Sequence, residues 1–144
     1  MRKWRWRTKV DSICEAANVH IEAKRWAAAG KLLWDAFDLI PEPRERYAET
    51  TWVVASIGDV LLGEREWDKA RQAFEDAIGL PGGLGNPYLH MRLGQAEYEV
   101  GNLGRASEEL MRAYMGAGDE LFRDEDPKYL SLVAGSARSV KDEL

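Results

Sequence analysis

The chain has 144 residues, 45% hydrophobic and 31% charged, which excludes a disordered segment and suits one compact domain. Twenty basic residues against 25 acidic ones leave a net charge of −5, which argues against a general nucleic-acid coat. The one cysteine, Cys14, excludes an internal disulfide, and with His20 and His90 it gives too few ligands for structural zinc, so neither metal nor cofactor is expected.

Residues 1–9 form a basic, aromatic segment in which Arg2, Lys3, Arg5, Arg7 and Lys9 interleave with Trp4 and Trp6. It imitates the start of a signal peptide, but Asp11, Glu15 and Glu22 interrupt the apolar run that would have to follow. The same interleaving occurs in segments that meet RNA or membrane surfaces. Since the rest of the chain is acidic, folding of the arm over its own acidic surface is the simpler expectation.

Helical spacing then recurs three times. Trp26-x-x-Ala29-x-x-x-Leu33-x-x-Ala36 precedes Pro41, Trp67-x-x-Ala70-x-x-x-Phe74-x-x-Ala77 precedes Pro81, and Leu103-x-x-Ala106-x-x-x-Leu110-x-x-Ala113 follows. Upstream of each, at one fixed distance, stand Ala16-Ala17, Ile57-Gly58 and Leu93-Gly94. Intervals of three and four mark one helix face, and its small residues admit a neighbouring helix closely. Pro41-Glu42-Pro43 ends one helix and predicts another over Arg44–Leu62. Gly82-Gly83-Leu84-Gly85 follows a helix and lacks a Gly-Lys-Ser/Thr ending, so it reads as a connecting loop rather than a phosphate cradle.

Asn86-Pro87 predicts an N-cap and first helical residue for a helix reaching about Val100. Gly101-Asn102 is the turn, Gly104 opens the next helix, and Gly116-Ala117-Gly118 stops it. Asp126-Pro127 starts an amphipathic final helix through Tyr129, Leu130, Leu132 and Val133, fit to cap a stack with a polar outer face. The terminal Lys141-Asp142-Glu143-Leu144 spells an endoplasmic-reticulum retention address, which matters only on a chain that entered that compartment. No stretch reaches the roughly 18 apolar residues of a membrane span, and none alternates as a strand would. A cytoplasmic, all-α protein is expected.

Three motifs in register resemble the tetratricopeptide repeat family, whose unit is about 34 residues of helix-turn-helix. The resemblance covers residues 10 to 120 or so and departs from the family where Val54 and His90 replace a frequent Trp and Arg65 replaces the turn glycine. The alanines stand 41 and then 36 residues apart, so extra residues lie around Pro41–Thr50 and Gly82–Asn86. The resemblance implies a short right-handed superhelix of three repeats (about 10–43, 51–84 and 87–120) with a capping helix and polar tail over 127–144. It also implies an inner groove lined by Cys14, Asn18 and Ile21, then Trp52, Ala55, Asp59 and Leu62, then Tyr88, Met91, Gln95 and Tyr98. Trp26 and Trp67 read as packing residues, whereas Trp34 is open to either role. The carboxylate clamp of chaperone-binding repeats is rejected, because Cys14 and Tyr88 stand where its two lysines are needed.

Nothing in the sequence assembles a catalytic set. Cys14 and His20, six residues apart, fall on different helix faces. His90 reads as a packing residue, Glu108 and Glu109 as solvated helix surface, and Asp119–Asp126 as a solvated linker without calcium-loop spacing. The expected function is therefore non-catalytic protein binding. Pro41-Glu42-Pro43, Ala55-Ser56-Ile57-Gly58-Asp59, Asn86-Pro87, Arg112-Ala113-Tyr114-Met115 and Glu125-Asp126-Pro127-Lys128-Tyr129-Leu130 resemble short bacterial repeat proteins encoded beside polymorphic toxins. That resemblance implies an immunity protein that captures a cationic toxin domain, for which an acidic surface is suited. A chaperone or scaffold holding a peptide in the groove, and an adaptor using the basic arm on RNA or membrane, are the competing readings.

Overall fold

The structure, a computed structural model, describes the backbone of residues 5–143 and the side chains of residues 5–135. Arg2, Lys3, Trp4 and the terminal Lys141-Asp142-Glu143-Leu144 side chains lie outside the described residues. There are seven α-helices among the described residues and no strand. None of these helices is long and apolar enough to cross a membrane. The chain divides into two compact units, Met1–Leu84 and Gly85–Leu144.

In the first unit, α1 (Arg5–Glu22) pairs with α2 (Trp26–Leu39), and α3 (Ala48–Gly63) pairs with α4 (Trp67–Ile78). The pairs join chiefly through α2 on α3. The second unit pairs α5 (Pro87–Glu99) with α6 (Leu103–Ala117) and ends in α7 (Pro127–Glu143), which packs on α6. Arg5 to Lys9 thus form the first turns of α1 rather than a separate arm.

The three pairs are closed by one turn. Arg25, Glu66 and Asn102 donate their backbone N–H to the carbonyls of His20, Leu61 and Glu97 at 2.8, 2.9 and 2.9 Å. Lys24, Arg65 and Gly101 donate to Ile21, Leu62 and Tyr98 at 2.9, 3.0 and 3.0 Å. These bonds satisfy carbonyls orphaned at a helix C-terminus and require a left-handed residue between them. Lys24, Arg65 and Gly101 occupy that place with φ of 59°, 61° and 90°. Only Gly101 does so without a Cβ penalty. Arg65→Gly should therefore raise the unfolding free energy by roughly 0.5–1 kcal/mol, read from the midpoint of a urea titration.

The next residues also agree, with φ/ψ near −89°/74°, −86°/68° and −90°/73° at Arg25, Glu66 and Asn102. From there the buried ladder starts in each pair. Ala29, Leu33 and Ala36, then Ala70, Phe74 and Ala77, then Ala106, Leu110 and Ala113 are all 0% exposed. Opposite them the partner helix is small. A Cβ on Gly58 would stand 2.7 Å from the Phe74 ring, and one on Gly94 would stand 2.7 Å from Leu110. Ala17 fills the matching place on α1 and is fully buried.

Helix starts follow the local chemistry with one correction. Asn86 caps α5, its Oδ1 accepting from the Leu89 N–H at 3.2 Å, and Pro87 follows. Gly118 ends α6 with φ 70°. The helix expected from Arg44 instead begins at Ala48, after a single 3₁₀ turn over Arg44–Arg46. Arg44 is held in that turn, its Nε donating to the Phe37 carbonyl at 3.1 Å and its own carbonyl accepting the hydroxyl of Thr50 on α3 at 2.6 Å. The insertion after Pro41 thereby caps the end of α2 instead of lengthening α3.

Candidate functional site

The residues expected to line a groove separate into open and occupied ones. On α1, Asn18 is exposed, while Ile21 and Cys14 are half-buried and pack against the core of the first unit. Burial, aided by Asp11, pushes the Cys14 thiol pKa up, which disfavours the thiolate. On α3, Trp52 is 45% exposed, Asp59 and Leu62 are half-buried, and Ala55 is buried. Asn18 and Trp52 are the exposed members of this set in the first unit.

At the start of α1, Trp6 and Arg7 turn toward α3. The Trp6 and Tyr47 rings meet edge-on at 5.0 Å, Arg7 lies over both, and its Nε pairs with Glu49 at 3.0 Å.

In the second unit the chain's own C-terminal segment occupies the expected binding face. Met91 is buried with Phe122 and Val133, and Tyr88 packs against that cluster. Gln95, also buried, donates its Nε2 to Glu125 Oε1 at 2.7 Å, and its Oε1 accepts from Arg92 at 3.0 Å. Tyr98 meets Tyr129 edge-on at 5.3 Å. Glu99 accepts the Tyr129 hydroxyl at 2.7 Å and pairs with Lys128 at 2.6 Å. Asp119–Asp126, expected as a solvated linker, contains a 3₁₀ turn at Asp119–Phe122 that buries Phe122, and its Glu125 ties down α5.

Burial works to raise the Glu99 pKa, but the hydrogen bonds from Lys128 and Tyr129 outweigh it and leave the carboxyl below its ordinary value. The bond to Glu99 is the main cause that raises Lys128, while burial first and then that bond raise Tyr129. A carboxyl lowered in this way stabilises the fold above the ordinary glutamate pKa of about 4.3, and the contribution is lost as pH falls through the lowered value. Amide protection along α7 should fall in acid. In Glu99→Gln it should be weaker at neutral pH and lose part of that acid dependence, as hydrogen exchange would read.

One further polar residue, Glu109, departs from expectation. Glu108 is exposed as expected, but Glu109 is only 6% exposed, and its Oε2 lies 2.6 Å from Nδ1 of buried His90. His90 Nε2 accepts the Gly85 N–H at 3.0 Å, which assigns the ring proton to Nδ1. The helix stripe of Ala106, Leu110 and Ala113 already carries position 109 at intervals of three and four. A carboxylate there, with a histidine at a packing position, was the available signal. No protein-family model matches the chain, and no curated protein matches it.

Proposed function

We propose that this chain is a non-catalytic protein-binding module of the tetratricopeptide repeat type, three repeats forming a short right-handed superhelix with α7 as its cap. Its role in that reading is immunity, the capture of a cationic toxin domain in the cytoplasm. The observation that carries the module reading is the threefold recurrence of one turn and one buried ladder. The same backbone hydrogen bonds close each pair, and the same three buried positions follow each turn. Stacked repeats of this kind create extended surfaces suited to binding.

Partner capture rests on the open aromatic surface beside acidic groups. Trp52 projects from α3 with 45% of its surface exposed, about two turns from Asp59, and aromatic anchors of this kind carry much of the energy of protein interfaces. The immunity role comes from the sequence resemblance. The adaptor reading is weakened because Trp6 and Arg7 are engaged by Tyr47 and Glu49.

The test is calorimetry against the product of the neighbouring gene at two salt concentrations. Trp52→Ala should cost about 2 kcal/mol of binding, and Asp59→Lys more, because it puts a repulsive charge into the contact. Folded variants that bind as tightly as the parent would remove this face from the interface.

A further inference from the structure

Both ring nitrogens of buried His90 are engaged, and they hold different things. Nδ1–H donates to Glu109 on α6 at 2.6 Å, while Nε2 accepts the N–H of Gly85 in the loop before α5 at 3.0 Å. The second bond needs the lone pair on Nε2, which exists only while the ring is neutral. The loop residues to either side are fastened without the ring. The Thr51 hydroxyl donates to the Pro81 carbonyl at 2.8 Å, and Gly83 N–H donates to the Leu80 carbonyl at 2.9 Å. Beyond Gly85, the Asn86 carbonyl accepts the His90 N–H at 3.1 Å. Between these points Leu84 is 80% exposed, and a Cβ added to exposed Gly85 would meet nothing within 4 Å. Gly85 has a φ of 82°, and a glycine can leave that conformation for many others. The Leu84–Gly85 peptide therefore has room to turn, with its bond to His90 as its fastening.

The lone pair that Gly85 uses is the one a proton takes when the ring becomes charged, and histidine is the side chain suited to do so between about pH 5 and 8. A proton on Nε2 would face the Gly85 N–H, donor against donor, so one of them has to give way. The surrounding charges favour the proton. Glu109 faces the ring from α6, and its bond to Nδ1–H becomes an ion pair. Arg112, 3.7 Å from the other Glu109 oxygen, and Arg105, one turn before Glu109, oppose the added charge, but both are exposed and screened. On α5 the acidic residue two turns on is Glu97, which accepts from Asn102 at 2.8 Å, and loop residues 79–86 carry no charge. The ring is 3% exposed, whereas the Gly85 N–H can turn to water. The loop moves and the ring stays. We propose that His90 is a proton-operated latch, which holds the Leu84–Gly85 peptide when neutral and releases it on protonation, while α5 stays paired with α6. The latch needs no partner and stands apart from the protein-binding reading.

The test is an NMR titration of the isotopically labelled full chain from about pH 8 to about pH 5. That range stays above the acid region in which Glu99, with its lowered pKa, gives up its bonds. Imidazole nitrogen shifts report the tautomer and the proton of His90, and hydrogen exchange of the Gly85 amide reports the loop. At the alkaline end the ring should carry its proton on Nδ1. As the ring becomes charged, the protection factor of the Gly85 amide should fall tenfold or more with the same midpoint. The amides of Leu93 on α5 and Leu110 on α6 should keep their protection. Glu109→Gln keeps an acceptor for Nδ1–H but removes the charge, so it should move both midpoints to lower pH together. In the double variant His90→Phe/Glu109→Leu the Gly85 amide should be unprotected throughout and show no step.

A ring still neutral at the acid end overturns the latch, as does a ring that takes its proton while Gly85 stays protected. Loss of Leu93 and Leu110 protection at the same midpoint also overturns it, since the neutral ring would then be holding the helix pair and not the loop. Midpoints for ring and loop that separate in Glu109→Gln would tie the loop to some other group. A Gly85 step that survives in the double variant, where the ring is gone, would do the same and sink the proposal.

Discussion

Phe74→Ala should lower the unfolding free energy by about 3–5 kcal/mol, the transfer loss of a phenyl ring plus the cavity it leaves. Phe74 is 0% exposed and its ring lies on the bare backbone at Gly58, where even a Cβ would be 2.7 Å away. Helix backbone cannot collapse into the vacated space as a flexible side chain could, so the cavity persists and the cost falls in the upper part of the large-to-small range. Trp67→Ala, at a half-buried position, should cost less. The complementary change, Gly58→Ala, should also destabilise, by roughly 1–3 kcal/mol, because the ring has nowhere to retreat. Urea unfolding followed by circular dichroism reads all three. An unchanged midpoint in Phe74→Ala would show that this ring does not hold α3 to α4.

The ladder containing Phe74 was legible because helical periodicity and residue size both report burial. Ala29, Ala70 and Ala106 can be aligned from sequence, and all are fully buried. The turns were half legible. Gly101 marks its left-handed place, but Lys24 and Arg65 occupy equivalent places with long polar side chains that carry no such mark. Their turn is held by backbone hydrogen bonds, which a sequence does not display. The first turn of α3 was misread for a related reason. Pro41 and Pro43 announce a break, but only the contacts of Arg44 with Phe37 and Thr50 decide that the helix waits until Ala48.

The candidate site was legible in part. Period arithmetic places Trp52, Asp59, Tyr88, Met91, Gln95 and Tyr98 on helix faces, but it cannot say what else in the chain reaches those faces. Glu125 and Tyr129 lie 30 residues or more beyond Gln95 and Tyr98, and they cover α5 through contacts that only the folded unit reveals. Trp34, which is 54% exposed, had a quieter signal. Trp34 and Phe37 lie off the stripe of Leu33, Ala36 and Ile40, giving α2 a second apolar face that its hairpin partner cannot use.

Glu109→Ala should destabilise the second unit by about 2–3 kcal/mol, because it strands a buried donor. His90 is 3% exposed and its Nδ1–H has Glu109 Oε2 as its partner at 2.6 Å. The ring cannot escape by moving its proton, since Nε2–H would then face the Gly85 N–H, which now donates to Nε2 at 3.0 Å. One tautomer leaves a donor unpaired and the other sets two donors against each other. Replacing both partners avoids this conflict, so His90→Phe with Glu109→Leu should recover most of the loss, the Gly85 N–H turning to water at the exposed loop. His90→Phe alone should remain costly, for it leaves the Glu109 carboxylate buried without its histidine partner, Arg112 standing off at 3.7 Å. The cycle of two single variants and the double, measured by urea unfolding, should therefore be strongly non-additive. Additive losses would mean that the two side chains are stabilised independently and that this pair does not fasten α5 to α6.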